Sequence, residues 1–224
     1  MVVYCSSDWH CPPQGLSEPV KQFIHRAKVD ADLIVGNGDL FDLMEYPWKE
    51  FVNCRAVREF EKELDGKRFI YVAGNHDPTK YIRKVVEIPN VEIKHPAYPL
   101  DVGNTTYYFT HGYHWGFHWS WLRWFFDPLI ILVPPIYHCW NKKNSAKRAK
   151  EKGELQKYSH LIALVHSRAS QFAELKDVTV VIGHTHKPWF AGDWENYIMY
   201  DDGDMLDSKT YLRIEDGRIE TVCL

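Results

Sequence analysis

The stretch Asp32–Asp42, DLIVGNGDLFD, joins an apolar run to a cluster of glycine, amide and carboxylate residues. Its first part, Asp32 to Val35, has the length and composition of a short buried strand. Asp39 and Asp42 follow directly after that strand. Because ligands of open α/β sheets bind at the carboxyl ends of the strands, this stretch predicts a polar site at the edge of a sheet.

The flanking sequence predicts an alternation of strands and helices. We predict strands at Val2–Ser6, Asp32–Val35 and Phe69–Ala73, and helices at Ser17–Val29 and Pro47–Leu64. This order is typical of a parallel α/β core. Further along we predict a short helix near Lys80–Val86, strands at Tyr98–Val102 and Thr106–Thr110, a helix at Tyr158–Leu175, a strand at Val178–Ile182 and a β meander at Trp189–Cys223, with hairpin turns at Gly103-Asn104 and Asp216-Gly217.

Length, charge and cysteine content limit the class of protein. The 224 residues are enough for one buried core, so we expect a single domain spanning residues 1–224. A net charge of -3 and a pI near 6.4 lack the basic footprint of a nucleic-acid-binding domain. Five cysteines without paired spacing, and no basic and apolar leader, predict a cytoplasmic protein in a reducing compartment.

Four further segments resemble the end of the opening stretch, and each follows a predicted strand. They are Asp8-Trp9-His10, Gly74-Asn75-His76-Asp77, His111-Gly112 and Gly183-His184-Thr185-His186. With Asp39 and Asp42, and with Asp77 left aside, they supply three carboxylates, one amide and five imidazoles. Such a mixed oxygen and nitrogen set suits two divalent cations, so the sequence predicts a binuclear metal site assembled from the whole chain.

This ordered series of five segments resembles the signature of calcineurin-like metallophosphoesterases, and the resemblance spans about Asp8 to His186. It implies an αββα sandwich and hydrolysis of phosphoester or pyrophosphate bonds by a metal-activated hydroxide. The resemblance also implies the metal ligands: Asp8, His10 and His186 for one cation, Asn75, His111 and His184 for the other, and Asp39 shared by both. Mn²⁺ is the metal that it implies, although Zn²⁺, Fe or Ni²⁺ can occupy the same ligands.

Two residues beside the ligands are expected to act in catalysis. By the same resemblance, His76 is a non-ligand histidine that stabilises developing charge and protonates the leaving oxygen. Asp42 is expected to orient and charge it. The alternative is that Asp42 caps a turn and His76 packs in a loop. We expect Cys11 to be a buried thiol and Asp77 to hold its loop, neither binding metal.

Residues 113–157 form an insert that the hydrolytic site does not need. An aromatic and apolar stretch, too short and proline-interrupted to cross a bilayer, leads into a basic segment. We predict either a helical lid for an amphiphilic phosphate or a hairpin that packs its aromatic residues on the core. In the lid reading the insert can contact a membrane surface peripherally, at the inner membrane face, and four residues contact the substrate: His114, Trp115, Lys147 and Arg148.

The insert's position resembles the UDP-2,3-diacylglucosamine diphosphatase branch of the family, which implies a lipid-linked nucleotide as substrate. The chain differs from that branch at His76, where arginine is typical, and at Gly112-Tyr113, where a Gly-Asp pair is typical. A phosphodiesterase or nuclease acting on nucleotides or DNA is the alternative, with nucleic acid disfavoured by the net charge. A non-catalytic binding protein on the same fold is the third possibility. The sequence leaves the oligomeric state open.

Overall fold

The computed structural model describes residues 1–116, 154–192 and 197–224. The helices are α1 (Glu18–Asp30), α2 (Trp48–Phe51), α3 (Arg55–Leu64), α4 (Thr79–Ile82) and α5 (Glu154–Lys176), with a 3-10 helix at Tyr113–Gly116. The strands are β1 (Val2–Ser6), β2 (Leu33–Gly36), β3 (Phe69–Val72), β4 (Val91–Lys94), β5 (Tyr98–Val102), β6 (Thr105–Phe109), β7 (Thr179–Ile182), β8 (Trp189–Gly192), β9 (Tyr197–Asp201), β10 (Thr210–Glu215) and β11 (Arg218–Cys223).

The strands form two sheets. The first has the order β11-β10-β1-β2-β3-β4, in which β1 to β4 run parallel and β10 pairs antiparallel with β1. The second has the order β5-β6-β7-β9-β8, in which β6, β7 and β9 run parallel. Because the parallel strands of each sheet share a direction, the loops after their carboxyl ends lie along one edge.

The two sheets pack face to face, and helices cover their outer faces. Side chains that alternate along β1 divide between two cores, as the two-residue period of a strand requires. Val3 joins a buried cluster that includes Phe109 and Val181 of the second sheet. Tyr4 instead faces α1 and α3, while Val165 of α5 packs on the outer face of the second sheet. The result is the predicted mixed α/β sandwich of helix, sheet, sheet and helix.

The predicted helix Pro47–Leu64 is wrong at its centre, where the chain divides into α2 and α3. Asn53 takes a left-handed conformation with φ of 56°, which an α-helix does not tolerate. A new helix then begins after Cys54, whose Sγ accepts a hydrogen bond from the backbone N–H of Val57 at 3.4 Å. The short helix predicted near Lys80–Val86 is present but ends earlier, since α4 occupies Thr79–Ile82.

The predicted continuous meander at Trp189–Cys223 is wrong because its strands belong to different sheets. β8 and β9 pair in the second sheet, whereas β10 and β11 form a hairpin in the first. The predicted turn at Asp216-Gly217 is confirmed, with both residues in the left-handed region at φ of 48° and 80°. Strand β4 was not predicted, and α5 begins four residues earlier than predicted.

None of the helices in the described ranges combines the length and apolar composition that crossing a bilayer requires. Of the predicted insert, residues 117–153 lie outside the described part of the chain, so the predictions for Lys147 and Arg148 lie outside it as well.

Candidate metal centre

Loops that follow β1, β2, β3, β6 and β7 converge on one site. Many of its side chains stand on left-handed backbone, with φ of 52° at Asp8, 54° at Asp39 and 71° at His184. Such backbone is rare for residues other than glycine, and it occurs where a functional arrangement constrains the chain. The glycine at position 74 lets the loop after β3 lie close to Asp39, since a Cβ at this position would collide with the Asp39 carboxylate.

Asp8 presents one of its carboxylate oxygens to two imidazoles. Its Oδ2 accepts hydrogen bonds from Ser7 Oγ at 2.6 Å and from the backbone N–H of His184 at 2.8 Å. Its Oδ1 lies 3.5 Å from Nε2 of His10 and 3.2 Å from Nε2 of His186. These are the three residues that the sequence assigned to one cation, and their potential ligand atoms all lie within 4.8 Å of one another.

Asp39 is the centre of a second group. Its Oδ1 accepts a hydrogen bond from the backbone N–H of His76 at 2.7 Å, and its Oδ2 lies 3.0 Å from Nε2 of His111. The other ring nitrogen of His111, Nδ1, is 3.0 Å from the backbone oxygen of Asn37. Donation to that oxygen leaves the Nε2 lone pair of His111 available for a cation. His184 completes this group of possible ligands.

Four buried ligand atoms lack a hydrogen-bond partner within the described residues: Asp8 Oδ1, His10 Nε2, Asn75 Oδ1 and His111 Nε2. Buried polar atoms are nearly always hydrogen-bonded, so each such atom needs an explanation. The four ligand atoms are half of the eight such side-chain atoms in the described part of the chain, and each can offer a lone pair. The residues therefore fit a pair of divalent cations, with the oxygen and nitrogen donors that Mn²⁺, Fe and Zn²⁺ accept.

The carboxylates of the site attract positive charge. Burial opposes a charged His10, but the nearby carboxylates of Asp42 and Asp8 outweigh this effect and raise the pKa of His10 to about 11. In the same way burial opposes a charged His111, and the charges of Asp39 and Asp8 raise its pKa to about 10. For His184, burial is the largest cause and the charge of His111 adds to it, so the pKa falls to about 4. The negative charge of the carboxylates in the site therefore favours the binding of cations.

His76 is held beside the predicted ligands by a carboxylate. Its Nδ1 lies 2.9 Å from Oδ1 of Asp42, whose Oδ2 lies 3.8 Å from Nδ1 of His10. Burial disfavours the charged ring of His76, but the charge of Asp39 and the hydrogen bond to Asp42 raise its pKa. Asp42 also caps a turn by accepting from the backbone N–H of Glu45 at 3.0 Å. The structure therefore joins the two residues in the pair that the sequence predicted.

Asp77 and Cys11 lie near the site in other roles. The carboxylate of Asp77 accepts from the backbone N–H groups of Leu40 at 2.7 Å and Gly74 at 2.6 Å, which ties the two loops together. Cys11 is fully buried, and burial raises the pKa of its thiol to about 12. A thiol that resists ionisation is a poor metal ligand, because the thiolate is the form that binds.

The sequence reasoning missed the acidic segment Asp201–Asp204, which begins at the last residue of β9. Asp202 contacts Ser7 Oγ, the group that also binds Asp8. Asp204 lies 3.0 Å from Nδ1 of His186 through its Oδ2. A signal was present, because this acidic run stands at the carboxyl end of a strand of the second sheet, as the predicted ligands do.

We predict that Asp204→Asn weakens metal binding at the site of His186 by about 10 to 100-fold. Oδ1 of Asp204 accepts from the backbone N–H groups of Asp207 and Ser208 at 2.9 and 2.8 Å, so an asparagine must keep its oxygen there. Its NH₂ group then faces Nδ1 of His186. This arrangement favours the tautomer whose Nε2 carries the proton and cannot bind a cation.

Calorimetric titration of the metal-free protein with Mn²⁺ measures this effect. The matched control is Asp207→Asn, which changes an exposed aspartate three residues away. Wild-type affinity for both cations in Asp204→Asn would show that Asp204 does not position His186.

His114 and Trp115 lie on the 3-10 helix just after His111. The indole of Trp115 packs against Phe172 of α5, with ring centroids 5.8 Å apart, and against the ring of His114 at 4.6 Å. Neither residue lines the cavity beside the predicted ligands among the described residues. Their predicted contact with substrate stays a prediction.

Comparison with known proteins identifies a family. A family model described as calcineurin-like phosphoesterase matches residues 1–188. Similar solved structures include an Escherichia coli phosphoesterase, with 16% identity, a TM-score of 0.49 and coverage of 100% of this chain and 99% of that chain. An uncharacterized Streptococcus pneumoniae protein described as a predicted phosphoesterase has 15% identity, a TM-score of 0.47 and coverage of 99% and 88%. Zinc-bound Vps29 of Entamoeba histolytica has 13% identity, a TM-score of 0.46 and coverage of 99% and 97%. Among curated proteins, none matches the chain significantly.

Proposed function

The chain belongs to the calcineurin-like phosphoesterase family, and from that premise we propose that it hydrolyses a phosphoester or pyrophosphate bond with two bound divalent cations. The proposed ligands are Asp8, His10 and His186 for one cation, Asn75, His111 and His184 for the other, and Asp39 for both. The observation that carries the proposal is the convergence of four buried ligand atoms without a hydrogen-bond partner, from three separate loops of the described residues. Filled ligand positions also argue against a non-catalytic binding protein on this fold.

The chain's own residues prepare the site for this reaction. Bound cations of this kind supply Lewis acidity toward the phosphoryl group and lower the pKa of water. Ser7 and the backbone of His184 hold one oxygen of Asp8, so its other oxygen faces the site. Because Nδ1 of His76 is bound to Asp42, its Nε2–H remains for the substrate. A proton at this atom can be donated to the leaving oxygen, and the hydrogen bond between Nδ1 and Asp42 orients the ring for that donation.

Two features of the chain bear on the substrate class, and they support different substrates. His76, in the place of an arginine, supports a general phosphodiesterase or monoesterase. The aromatic and basic composition of residues 117–153 supports an amphiphilic phosphate, such as a lipid-linked nucleotide, and peripheral contact with a membrane. We favour the first reading, because His76 contacts the predicted ligands directly. The proposed metal is Mn²⁺, and the free thiols of Cys5, Cys11, Cys54 and Cys223 support a reducing, cytoplasmic location.

A panel of substrates tests the proposed function. Protein loaded with Mn²⁺ is assayed side by side on bis(p-nitrophenyl) phosphate, p-nitrophenyl phosphate, cyclic nucleotides and a UDP-sugar lipid. We expect hydrolysis of the small phosphate esters to exceed that of the UDP-sugar lipid. Asp39→Asn, purified in the same way, is the control for contaminating phosphatases. If no substrate in the panel is hydrolysed by protein that holds two cations, the proposed function is wrong.

A further inference from the structure

A cavity of about 180 Å³ beside the predicted metal ligands has two chemically different sides. One side is polar and consists of predicted ligands together with His76 and Thr185. The other side consists of three aliphatic residues of α5: Leu161, Ile162 and Val165. We call these three residues the aliphatic wall.

The aliphatic wall is fixed in place by the packing of α5. Val165 is fully buried against the second sheet. Three residues after Val165, Arg168 Nη1 donates to the backbone oxygen of Trp115 at 2.7 Å, and this bond links α5 to the 3-10 helix after His111. At Gly116 a Cβ would lie 3.2 Å from Cδ1 of Leu161, so glycine lets the two segments meet closely. The wall therefore has a set position relative to the ligands.

The outer part of the aliphatic wall, Leu161 and Ile162, does not belong to the hydrophobic core of the described residues. Leu161 is 38% exposed, and Ile162 is partly exposed. Within the described residues, neither belongs to the hydrophobic cluster that α5 forms with the second sheet. A single exposed leucine is ordinary in proteins, but three aliphatic side chains that face a metal site form one continuous apolar surface. As far as residues 1–116, 154–192 and 197–224 are concerned, this surface is available to a ligand.

The size of the cavity limits what the aliphatic wall can contact. Sites that enclose a whole drug-sized ligand have volumes of roughly 300–1,000 Å³, and this cavity is smaller. It can take a phosphoryl group and the first atoms bonded to it. The wall then lies against those first atoms, and the remainder of a larger substrate lies outside the cavity.

On the basis of the proposed function, we propose that the aliphatic wall selects substrates in which the carbon group attached to the phosphoryl group, through the ester oxygen or directly as in a phosphonate, is an apolar alkyl or aryl group. Apolar atoms there lose contact with water against the wall, which favours binding. A hydroxylated group, such as a sugar attached at this point, would lose hydrogen bonds to water without finding partners on the wall.

Binding of alkylphosphonates tests this inference without requiring turnover. Methylphosphonate, propylphosphonate and pentylphosphonate are titrated into the Mn²⁺-loaded protein and followed by calorimetry. Full burial of a methylene is worth roughly fourfold in affinity, and the wall covers one side, so we expect about a twofold gain per methylene. Leu161→Asn and Ile162→Asn are expected to reduce the gain per methylene by half or more. The matched control is Leu175→Asn, an 81% exposed leucine on the same helix, which should leave the gain unchanged.

The outcomes separate this inference from the proposed function. Equal affinity for all three phosphonates, or no binding of any, overturns the inference, as does an unchanged gain per methylene in both wall variants. A gain that the wall variants reduce supports the inference even if the panel of esters is not hydrolysed. Hydrolysis of the esters together with equal phosphonate affinities leaves the proposed function standing and removes the wall from it.

Discussion

Replacing Asp39 with asparagine is expected to lower hydrolysis of bis(p-nitrophenyl) phosphate by about three orders of magnitude or more. Asp39 is the carboxylate proposed to serve both cations, and it is 1% exposed. The cations contribute several kcal/mol to catalysis, and about 1.4 kcal/mol corresponds to a tenfold change in rate. Asparagine keeps the size of the side chain and an oxygen for the backbone N–H of His76, so the variant should fold.

The control for Asp39→Asn is Asp65→Asn. Asp65 also has left-handed backbone, with φ of 48°, but it is exposed at the end of α3. Its replacement changes the same charge on the same kind of backbone away from the site. We expect Asp65→Asn to retain wild-type activity and metal content, whereas Asp39→Asn retains at most one tightly bound cation. Wild-type activity in Asp39→Asn would contradict the proposed ligand set.

Replacing His76 with alanine is expected to lower turnover by about 10² to 10⁴-fold, the usual contribution of a general acid or base. Both cations should stay bound, because His76 is not among the proposed ligands. Steady-state kinetics and metal analysis of the same preparation separate the two effects. The pH dependence adds a third readout, since the limb of the rate profile that reports loss of the His76 proton should disappear.

The control for His76→Ala is His25→Ala, an exposed histidine of α1. Asp42→Asn should also lower turnover, by less than His76→Ala, because it weakens the orientation and charge of the ring. Loss of metal from His76→Ala would show that the residue acts as a ligand. Wild-type turnover with both metals bound would remove it from the reaction.

The positions of the candidate ligands were predictable from sequence because local signals coincide there. Asp8, Asn75 and His184 each follow a short apolar run, and parallel strands bring their carboxyl ends together. The same signal is present at Asp202 and Asp204, but they follow β9, which was read as part of a meander. A two-residue alternation shows that a segment is a strand and does not show which sheet it joins.

Features that depend on distant partners were not predictable. β1 pairs with β10, a strand near the other end of the sequence, and Cys5 lies opposite Leu212. Nothing in the local sequence of either strand specifies this partner. The break between α2 and α3 depends on one left-handed residue, Asn53, inside a pattern that suits a helix throughout. The aliphatic wall was not predictable either, because Leu161 and Ile162 have the spacing of ordinary helix residues. Their relation to the site appears when α5 packs beside it.

Titration of metal-free protein with Mn²⁺, with hydrolysis of bis(p-nitrophenyl) phosphate recorded at each step, tests the central claim most directly. The claim is that side chains from loops distant in sequence hold two cations that act together. We expect no hydrolysis without metal and a rate that reaches its maximum at two equivalents of Mn²⁺ per chain. Activity that survives complete removal of metal, or a maximum at a single equivalent, would contradict the account.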